Sequence, residues 1–284
     1  MAVEKPEEIN YWDAVASAAE KEEKFTGADK WRKAATNWLA CYTERKARDF
    51  IVQTIENHAN LRYGASVLDV GCGPGKWVNL FAEHGFSVTG VDASPWMIRL
   101  AKKRMKECLE EHVNFYVMNV AKLTLPRNAY DLVNCVTVLQ HIFSDEDWRN
   151  AVHGMVNVAK PLGRILIFEA VPSFILKKRT RHLCFRSMRE YVSEFRKAGA
   201  QLEYWKATDL SFPITYLGLR KYAASFSRKV YYFADGFSSL SLGFLSFLSR
   251  IMVSLARPLD YELARTPLSF LSAGKILLFR KVKV

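Results

Sequence analysis

Three glycines at alternate positions form the pattern with the clearest chemical meaning in this chain. Gly71, Gly73 and Gly75 lie in the segment VLDVGCGPG, directly after the mostly apolar run VLDV. Glycine lets the backbone turn sharply and removes the Cβ that would hold a ligand at a distance, and a helix that follows offers its free N–H groups. The pattern therefore predicts a turn that binds a small molecule.

Two acids extend this pattern. Asp69 lies two residues before the first glycine, and Asp92 ends the next apolar run, VTGVD. An acid at the end of a second parallel strand can accept hydrogen bonds from both hydroxyls of a ribose, so the combination predicts a nucleoside site. Each acid also has a purely structural interpretation: Asp69 could cap the glycine turn, and Asp92 could cap the helix that begins near Ser94.

The spacing of the glycines is GxGxG, whereas dinucleotide-binding turns use GxGxxG. The sequence resembles the class I S-adenosylmethionine-dependent methyltransferases (type 11-like domain), because VLDVGCGPG, VTGVDAS, YDLVNCVTVLQHI and RILIFEA follow in the family's order over about residues 60–205. The resemblance implies S-adenosylmethionine as cofactor. It places the glycine turn along the methionine and ribose, Asp92 on the ribose hydroxyls, and Asp69 at the turn and the amino end of the cofactor.

The chain departs from the family after the third strand. Many members read GDA where this chain has Met118, Asn119 and Val120. The resemblance assigns Asn119 and Val120 to the adenine. The Asn119 amide oxygen can accept from the exocyclic amine of adenine, but through a neutral hydrogen bond that is weaker than a charge-assisted one.

Two residues at strand ends are candidates for catalysis. The protein contributes to methyl transfer mainly by aligning the acceptor and excluding water, and a general base is optional. His141 in VLQHI is the candidate base or acceptor-orienting group, since ligands collect at the carboxyl ends of parallel strands; the alternative is a loop histidine bonded to backbone. Glu169 could orient an amine or hydroxyl; the alternative is a buried carboxylate that caps a neighbouring helix. No metal site is expected, because no cysteine or histidine spacing is typical of zinc ligands.

The elements that must position these residues alternate along the chain. Short runs rich in Val, Ile and aromatic residues are separated by amphipathic stretches, which predicts an α/β fold with a doubly wound, mostly parallel Rossmann-like sheet. We expect an N-terminal helical cap (1–60), a cofactor-binding core (61–210), an apolar and basic insertion on the acceptor side (211–273), and a final core strand (274–284).

Composition and charge bound the function. Half of the 284 residues are apolar, which suffices for a core, and the five cysteines include no CxxC pair. Acidic residues stand where a signal peptide would need a basic flank, so a cytoplasmic protein is expected. Residues 173–284 hold 20 Lys and Arg against 7 Asp and Glu. Such an excess is typical of a surface that meets an anionic membrane or nucleic acid, or serves only solubility.

The C-terminal third suggests the kind of acceptor. A basic cluster follows the fifth core strand (Lys177, Lys178, Arg179, Arg181, Arg186, Arg189). Residues 238–257 can form an amphipathic helix, packed on the domain or lying at a membrane surface. We expect methyl transfer to a small-molecule or lipid-like acceptor, with peripheral contact to an anionic membrane as one option. The alternatives are an RNA or protein methyltransferase, or a non-catalytic cofactor-binding partner subunit. The acceptor atom (O, N or C) and the oligomeric state stay open.

Overall fold

The computed structural model describes residues 48–105, 107–171, 179, 183–208 and 274–282. These residues contain a seven-stranded sheet with the order β3-β2-β1-β4-β5-β7-β6. The strands are β1 Ser66–Val70, β2 Ser87–Asp92, β3 Val113–Val117, β4 Tyr130–Val136, β5 Ala159–Ala170, β6 Ala200–Ala207 and β7 Gly274–Lys281. Strands β1 to β5 pair in parallel, and β7 runs antiparallel to both β5 and β6.

Helices cover both faces of the sheet, and each face has its own cluster of buried apolar residues. Residues 48–54 are helical, and the further α-helices are α1 Lys76–Glu83, α2 Pro95–Arg104, α3 Asp145–Val158 and α4 Met188–Lys197. Shorter turns of helix are Ile55–Ala59, Glu107–His112, Val120–Lys122 and Leu139–His141. The predicted fold class, a doubly wound and mostly parallel α/β sheet, is confirmed.

Serine N-caps determine where three of these helices begin. The hydroxyl of Ser94 accepts a hydrogen bond from the first turn of α2, and Pro95 occupies the first helical position, where its missing N–H costs nothing. Ser144 caps α3 in the same way. Ser187 and Glu190 form a reciprocal capping box at the start of α4. These caps separate each helix sharply from the loop that precedes it.

The strand order positions the ligand site. Because β1 lies between β2 and β4 and pairs in parallel with both, the carboxyl ends of these three strands meet at one edge of the sheet. The chain leaves β1 toward β2 on one side and later returns to β4 on the other, which opens a crevice at this edge. The glycine turn follows β1 directly, at the mouth of that crevice.

The predicted domain boundaries remain predictions. Of the N-terminal cap, the structure describes residues 48–60, in which Phe50, Ile51 and Ile55 are buried against the core. The insertion at 211–273, its amphipathic helix at 238–257 and the basic residues Lys177, Lys178 and Arg181 lie outside the described residues. Within the described part of the chain, no helix is both long and apolar enough to span a membrane.

Candidate functional site

The glycine turn is built from three left-handed residues that serve different purposes. Gly71, Gly73 and Gly75 have φ values of 67°, 51° and 82°. A Cβ on Gly71 would collide with the side chain of Val138, and one on Gly75 would lie 3.0 Å from the Cβ of Ala101. A Cβ on Gly73 would meet no atom within 4 Å. Gly71 and Gly75 are therefore required for packing, whereas Gly73 faces open space.

That open space is part of a cavity of about 610 Å³ at the carboxyl ends of β1, β2 and β4. Its lining includes six of the predicted site residues: Gly71, Gly73, Asp92, Asn119, Val120 and His141. Asp69, Gly75 and Glu169 do not line it. The structure thus brings most of the predicted nucleoside site and the candidate base to one cavity.

Asp92 ties the glycine turn to helix α2. Its Oδ2 accepts a hydrogen bond from the Gly73 N–H (2.9 Å), and its Oδ1 accepts from the Ser94 N–H (2.8 Å). An ionised carboxylate has about four acceptor sites, so it can bind ribose hydroxyls in addition to these two N–H groups. Asp92 can therefore cap the start of α2 and bind the ribose hydroxyls at the same time.

Asp69 lies beneath the turn with an incomplete set of hydrogen bonds. Its Oδ1 accepts from Asn134 Nδ2 (2.7 Å), while Asp69 Oδ2 and Asn134 Oδ1 are buried and have no hydrogen-bond partner among the described residues. Burial raises the pKa of Asp69 to about 7; the Asn134 hydrogen bond opposes this shift and the charge of Asp92 adds to it. Asp69 and Asn134 thus place two buried acceptors without a donor beneath the glycine turn, and a cationic group bound above that turn would interact favourably with the negative charge on these oxygens.

This geometry predicts that cofactor affinity depends on pH. An ammonium favours the ionised form of Asp69, whose pKa burial raises to about 7, so binding must expel a proton at lower pH. Affinity for S-adenosylhomocysteine is expected to rise roughly tenfold from about pH 5.5 to about pH 7.5, measured by calorimetry. Asp69→Asn should bind more weakly and show little pH dependence over this interval. Equal wild-type affinity at both pH values would exclude this role for Asp69.

Asn119 begins the short helix Val120–Lys122. Its Oδ1 accepts a hydrogen bond from the Ala121 N–H (2.9 Å), so the side chain acts as a local cap. An amide oxygen has two lone pairs, and the second can accept from an adenine amine. Val120 is buried at the cavity wall beside it. Both residues stay predicted adenine contacts.

The loop after β4 carries His141 to the cavity. Residues 137, 138, 141 and 142 of this loop all line the cavity. Thr137 has a φ of 57°, which is rare for a β-branched residue, and the backbone N–H of His141 donates to the Val138 carbonyl (2.9 Å) in a turn of 3₁₀-helix. His141 is thus held at the cavity wall by a tightly turned segment.

Glu169 lies beneath this loop rather than in the cavity. It is 1% exposed, and its Oε1 accepts hydrogen bonds from the N–H groups of Val138 (2.6 Å) and Leu139 (2.8 Å). Its Oε2 accepts from Gln140 N–H at 3.3 Å. This is the capping arrangement that the sequence offered as the alternative to an acceptor-orienting role.

Several cavity residues were not predicted from the sequence. Lys76 and Trp77 follow the glycine turn directly, and Arg104 lies at the end of α2. The Lys76 ammonium lies 4.7 Å from the Trp77 ring centroid. Lys76 could have been predicted as a cavity residue because it follows the third glycine directly. Nothing in the sequence places Arg104 near the turn.

The predicted conformational roles of the glycines can be separated by mutation. Gly71→Ala is expected to destabilise the protein by about 2 to 4 kcal/mol, because it combines a left-handed alanine with overpacking against Val138. Gly73→Ala should cost only about 1 to 2 kcal/mol of stability, but its new methyl group stands in the cavity. Thermal unfolding and S-adenosylhomocysteine titration should therefore rank the two variants in opposite order, and the same ranking in both would contradict this assignment.

Comparison with known proteins agrees with this geometry. Residues 67–163 match the model of a methyltransferase domain family. Among curated proteins, the chain is 36% identical over 114 residues to the ubiquinone biosynthesis O-methyltransferase of Erwinia tasmaniensis (39% of this chain, 44% of that protein). It is 33% identical over 121 residues to the mitochondrial ubiquinone biosynthesis O-methyltransferase of Schizosaccharomyces pombe (42% of each chain). The matches span less than half the length of these relatives.

Solved structures share the fold at low sequence identity. They include the [4+2]-cyclase SpnF (TM-score 0.57, 20% identity, 83% of this chain and 81% of that one). An S-adenosylmethionine-dependent methyltransferase from Mesorhizobium loti gives a TM-score of 0.52 at 15% identity (80% and 100%). The methyltransferase-domain match at residues 67–163, the GxGxG turn, Asp92 and the sheet order agree, and they identify this part of the chain as similar to the class I S-adenosylmethionine-dependent methyltransferases.

Proposed function

We propose that this protein transfers a methyl group from S-adenosylmethionine to an oxygen of a small, lipid-like acceptor. The observation that carries the proposal is that one cavity of about 610 Å³ is lined by the glycine turn, Asp92 and His141. The glycine turn and Asp92 would hold the cofactor, and the loop that carries His141 borders the glycine turn at the same cavity. Small-molecule sites are typically concave and of this size.

Each group of cavity residues has its own role in the proposed reaction. When bound, S-adenosylmethionine supplies an activated methyl group on a sulfonium, and the reaction is an in-line displacement. Asp92 and the glycine turn would hold the nucleoside, and Asp69, buried beneath the turn, would stabilise the amino end of the cofactor from there. His141 accepts the proton of the attacking hydroxyl or orients that hydroxyl. The apolar residues Val136, Val138 and Ile142 restrict water in the cavity.

The choice of acceptor rests on two observations. The curated relatives at 33% to 36% identity are named as O-methyltransferases of ubiquinone biosynthesis, which supports an oxygen nucleophile and a lipid-like acceptor. The C-terminal third holds 20 Lys and Arg against 7 Asp and Glu, which supports an anionic acceptor group or contact with an anionic membrane. Arg179 of the basic cluster donates to the carbonyl of Phe143 (3.1 Å), next to the His141 loop.

The experiment is a transfer assay with S-adenosylmethionine labelled in the methyl group. Phenols with and without an alkyl chain, total RNA and a protein extract are offered as acceptors. We expect label in the alkylated phenol, with a lower KM than for the unsubstituted phenol. Label only in RNA or protein would replace the proposed acceptor class. The fold alone does not decide the reaction, since the structural neighbour SpnF is a cyclase. Cofactor binding without transfer to any acceptor would favour the partner-subunit alternative.

A further inference from the structure

The loop at residues 137–142 is held in place by buried charged side chains that do not line the cavity. The loop needs this support because Thr137 adopts a left-handed conformation, which is costly for a β-branched residue and persists only when the surroundings enforce it. Its Val138 packs where a Cβ on Gly71 would be, so the loop also borders the glycine turn. A shift of this loop would move His141 relative to the rest of the cavity.

Glu169 holds the beginning of the loop. Three consecutive backbone N–H groups, those of Val138, Leu139 and Gln140, donate to its two carboxylate oxygens. The side chain of Gln140 completes the connection, because its Oε1 accepts from the Ala170 N–H (3.1 Å) at the end of β5. The loop is therefore fastened to the last two residues of β5.

Arg186 holds the end of the same loop. It is 2% exposed; its Nη1 donates to the Ile142 carbonyl (3.0 Å), and its Nη2 donates to Asp145 Oδ1 (2.8 Å). The guanidinium carbon lies 4.7 Å from the centroid of the Trp148 ring, which fixes its plane. A planar fork that serves two acceptors cannot be replaced by the single ammonium of lysine.

We propose that Glu169 and Arg186 are positioning residues for methyl transfer, which clamp the two ends of the 137–142 loop and so set His141 against the acceptor. This inference rests on the proposed function. Neither residue lines the cavity, so their effect on the reaction passes through the loop. A displacement of about 1 Å in a reacting geometry can cost about a hundredfold in rate, so the clamp is expected to matter for turnover.

The clamp should respond to pH. Burial raises the pKa of Glu169 to about 8, against the lowering effect of the three N–H groups and of Arg186. The other ionisable groups near it are Cys135 and Tyr191, whose pKa values are raised by burial and then by the charge of Glu169, and Lys275, its register partner on β7. The ionised carboxylate accepts from all three N–H groups, whereas a proton on Oε2 weakens the bond from the Gln140 N–H, because a neutral hydroxyl oxygen is a poorer acceptor. Turnover should rise as pH increases through about 8.

The test compares Glu169→Gln and Arg186→Lys with the matched controls Glu203→Gln and Arg164→Lys. The control pair is a partly exposed Arg–Glu contact (3.2 Å), and Arg164 lies on β5 roughly 16 Å from Glu169 at about 3.3 Å per residue. We expect kcat to fall about a hundredfold in the first two variants, with S-adenosylhomocysteine affinity within about threefold of wild type. The controls should match wild type. The rise of kcat through about pH 8 should disappear in Glu169→Gln.

Unchanged kcat in Glu169→Gln and Arg186→Lys would overturn the proposal. So would a proportional loss of kcat, cofactor affinity and thermal stability, since that pattern describes general collapse. If the wild-type protein methylates no acceptor, the proposed function is wrong. The clamp can then be tested separately by amide hydrogen exchange. The amides of residues 138–140 should exchange faster in Glu169→Gln than in wild type or Glu203→Gln. Equal exchange would overturn the clamp independently of catalysis.

Discussion

Replacing His141 with alanine is expected to lower kcat by ~10² to 10⁴, the usual contribution of a general base. The expectation follows from its place on the loop after β4, where it shares a cavity with the glycine turn and Asp92. Affinity for S-adenosylhomocysteine should not change, because the residues assigned to the cofactor (Asp69, the glycine turn, Asp92, Asn119 and Val120) do not include His141. Steady-state kinetics with the labelled acceptor, together with calorimetry, measure both quantities.

A second histidine serves as the control for this experiment. His153 lies on α3, about half exposed, where its Nε2 is 3.0 Å from Glu194 Oε1, and it does not line the cavity. His153→Ala should therefore leave kcat unchanged. If His141→Ala also leaves kcat unchanged, the base assignment is wrong. If it loses turnover and cofactor affinity together, the loop has collapsed and His141 is a structural residue.

Asp92→Ala is expected to weaken S-adenosylhomocysteine binding by ~1.5 to 3 kcal/mol, the usual value of hydrogen bonds to a charged group. This corresponds to a roughly 10- to 150-fold higher Kd. The loss has two sources, since the carboxylate both meets the ribose and fastens the Gly73 and Ser94 N–H groups. Calorimetry of the wild type and the variant gives the difference directly.

The ligand 5′-methylthioadenosine separates the two acids of the site. It keeps the ribose but lacks the amino-acid end, so Asp92→Ala should weaken its binding as much as that of S-adenosylhomocysteine. Asp69→Asn should weaken only the binding of S-adenosylhomocysteine. Asp131→Ala is a matched control, because this carboxylate accepts from Ser66 N–H (2.9 Å) and Lys160 (2.7 Å) and does not line the cavity. Unchanged affinity in Asp92→Ala would remove the ribose assignment.

The fold and the nucleoside half of the site follow from local sequence patterns. The runs SVLDV and SVTGVD are rich in valine, which is typical of strands, and they become β1 and β2. Once those strands are adjacent and parallel, the residues that follow them must meet at one edge. Gly71, Gly73 and Asp92 reach the same cavity for this reason.

The acceptor half of the site was harder to predict, because it depends on packing between distant segments. An acid at the end of a strand can face the cavity or a neighbouring loop. Only its hydrogen bonds with the N–H groups of residues 138–140 show that Glu169 faces the loop. The left-handed Thr137 is likewise invisible in a sequence whose β-branched residues favour extended backbone. Arg186 was predicted as part of the basic cluster on the acceptor side, but it is 2% exposed and joins the loop from 44 residues away.

The most direct test of the cofactor site is a crystal structure with S-adenosylhomocysteine. We expect the ribose hydroxyls on the Asp92 carboxylate, the amino-acid end of the ligand at the glycine turn above the buried Asp69 and Asn134, and the sulfur facing the loop that carries His141. The adenine should lie beside Asn119 and Val120. A ligand bound elsewhere, or one in this cavity whose sulfur points away from His141, would contradict the proposed site.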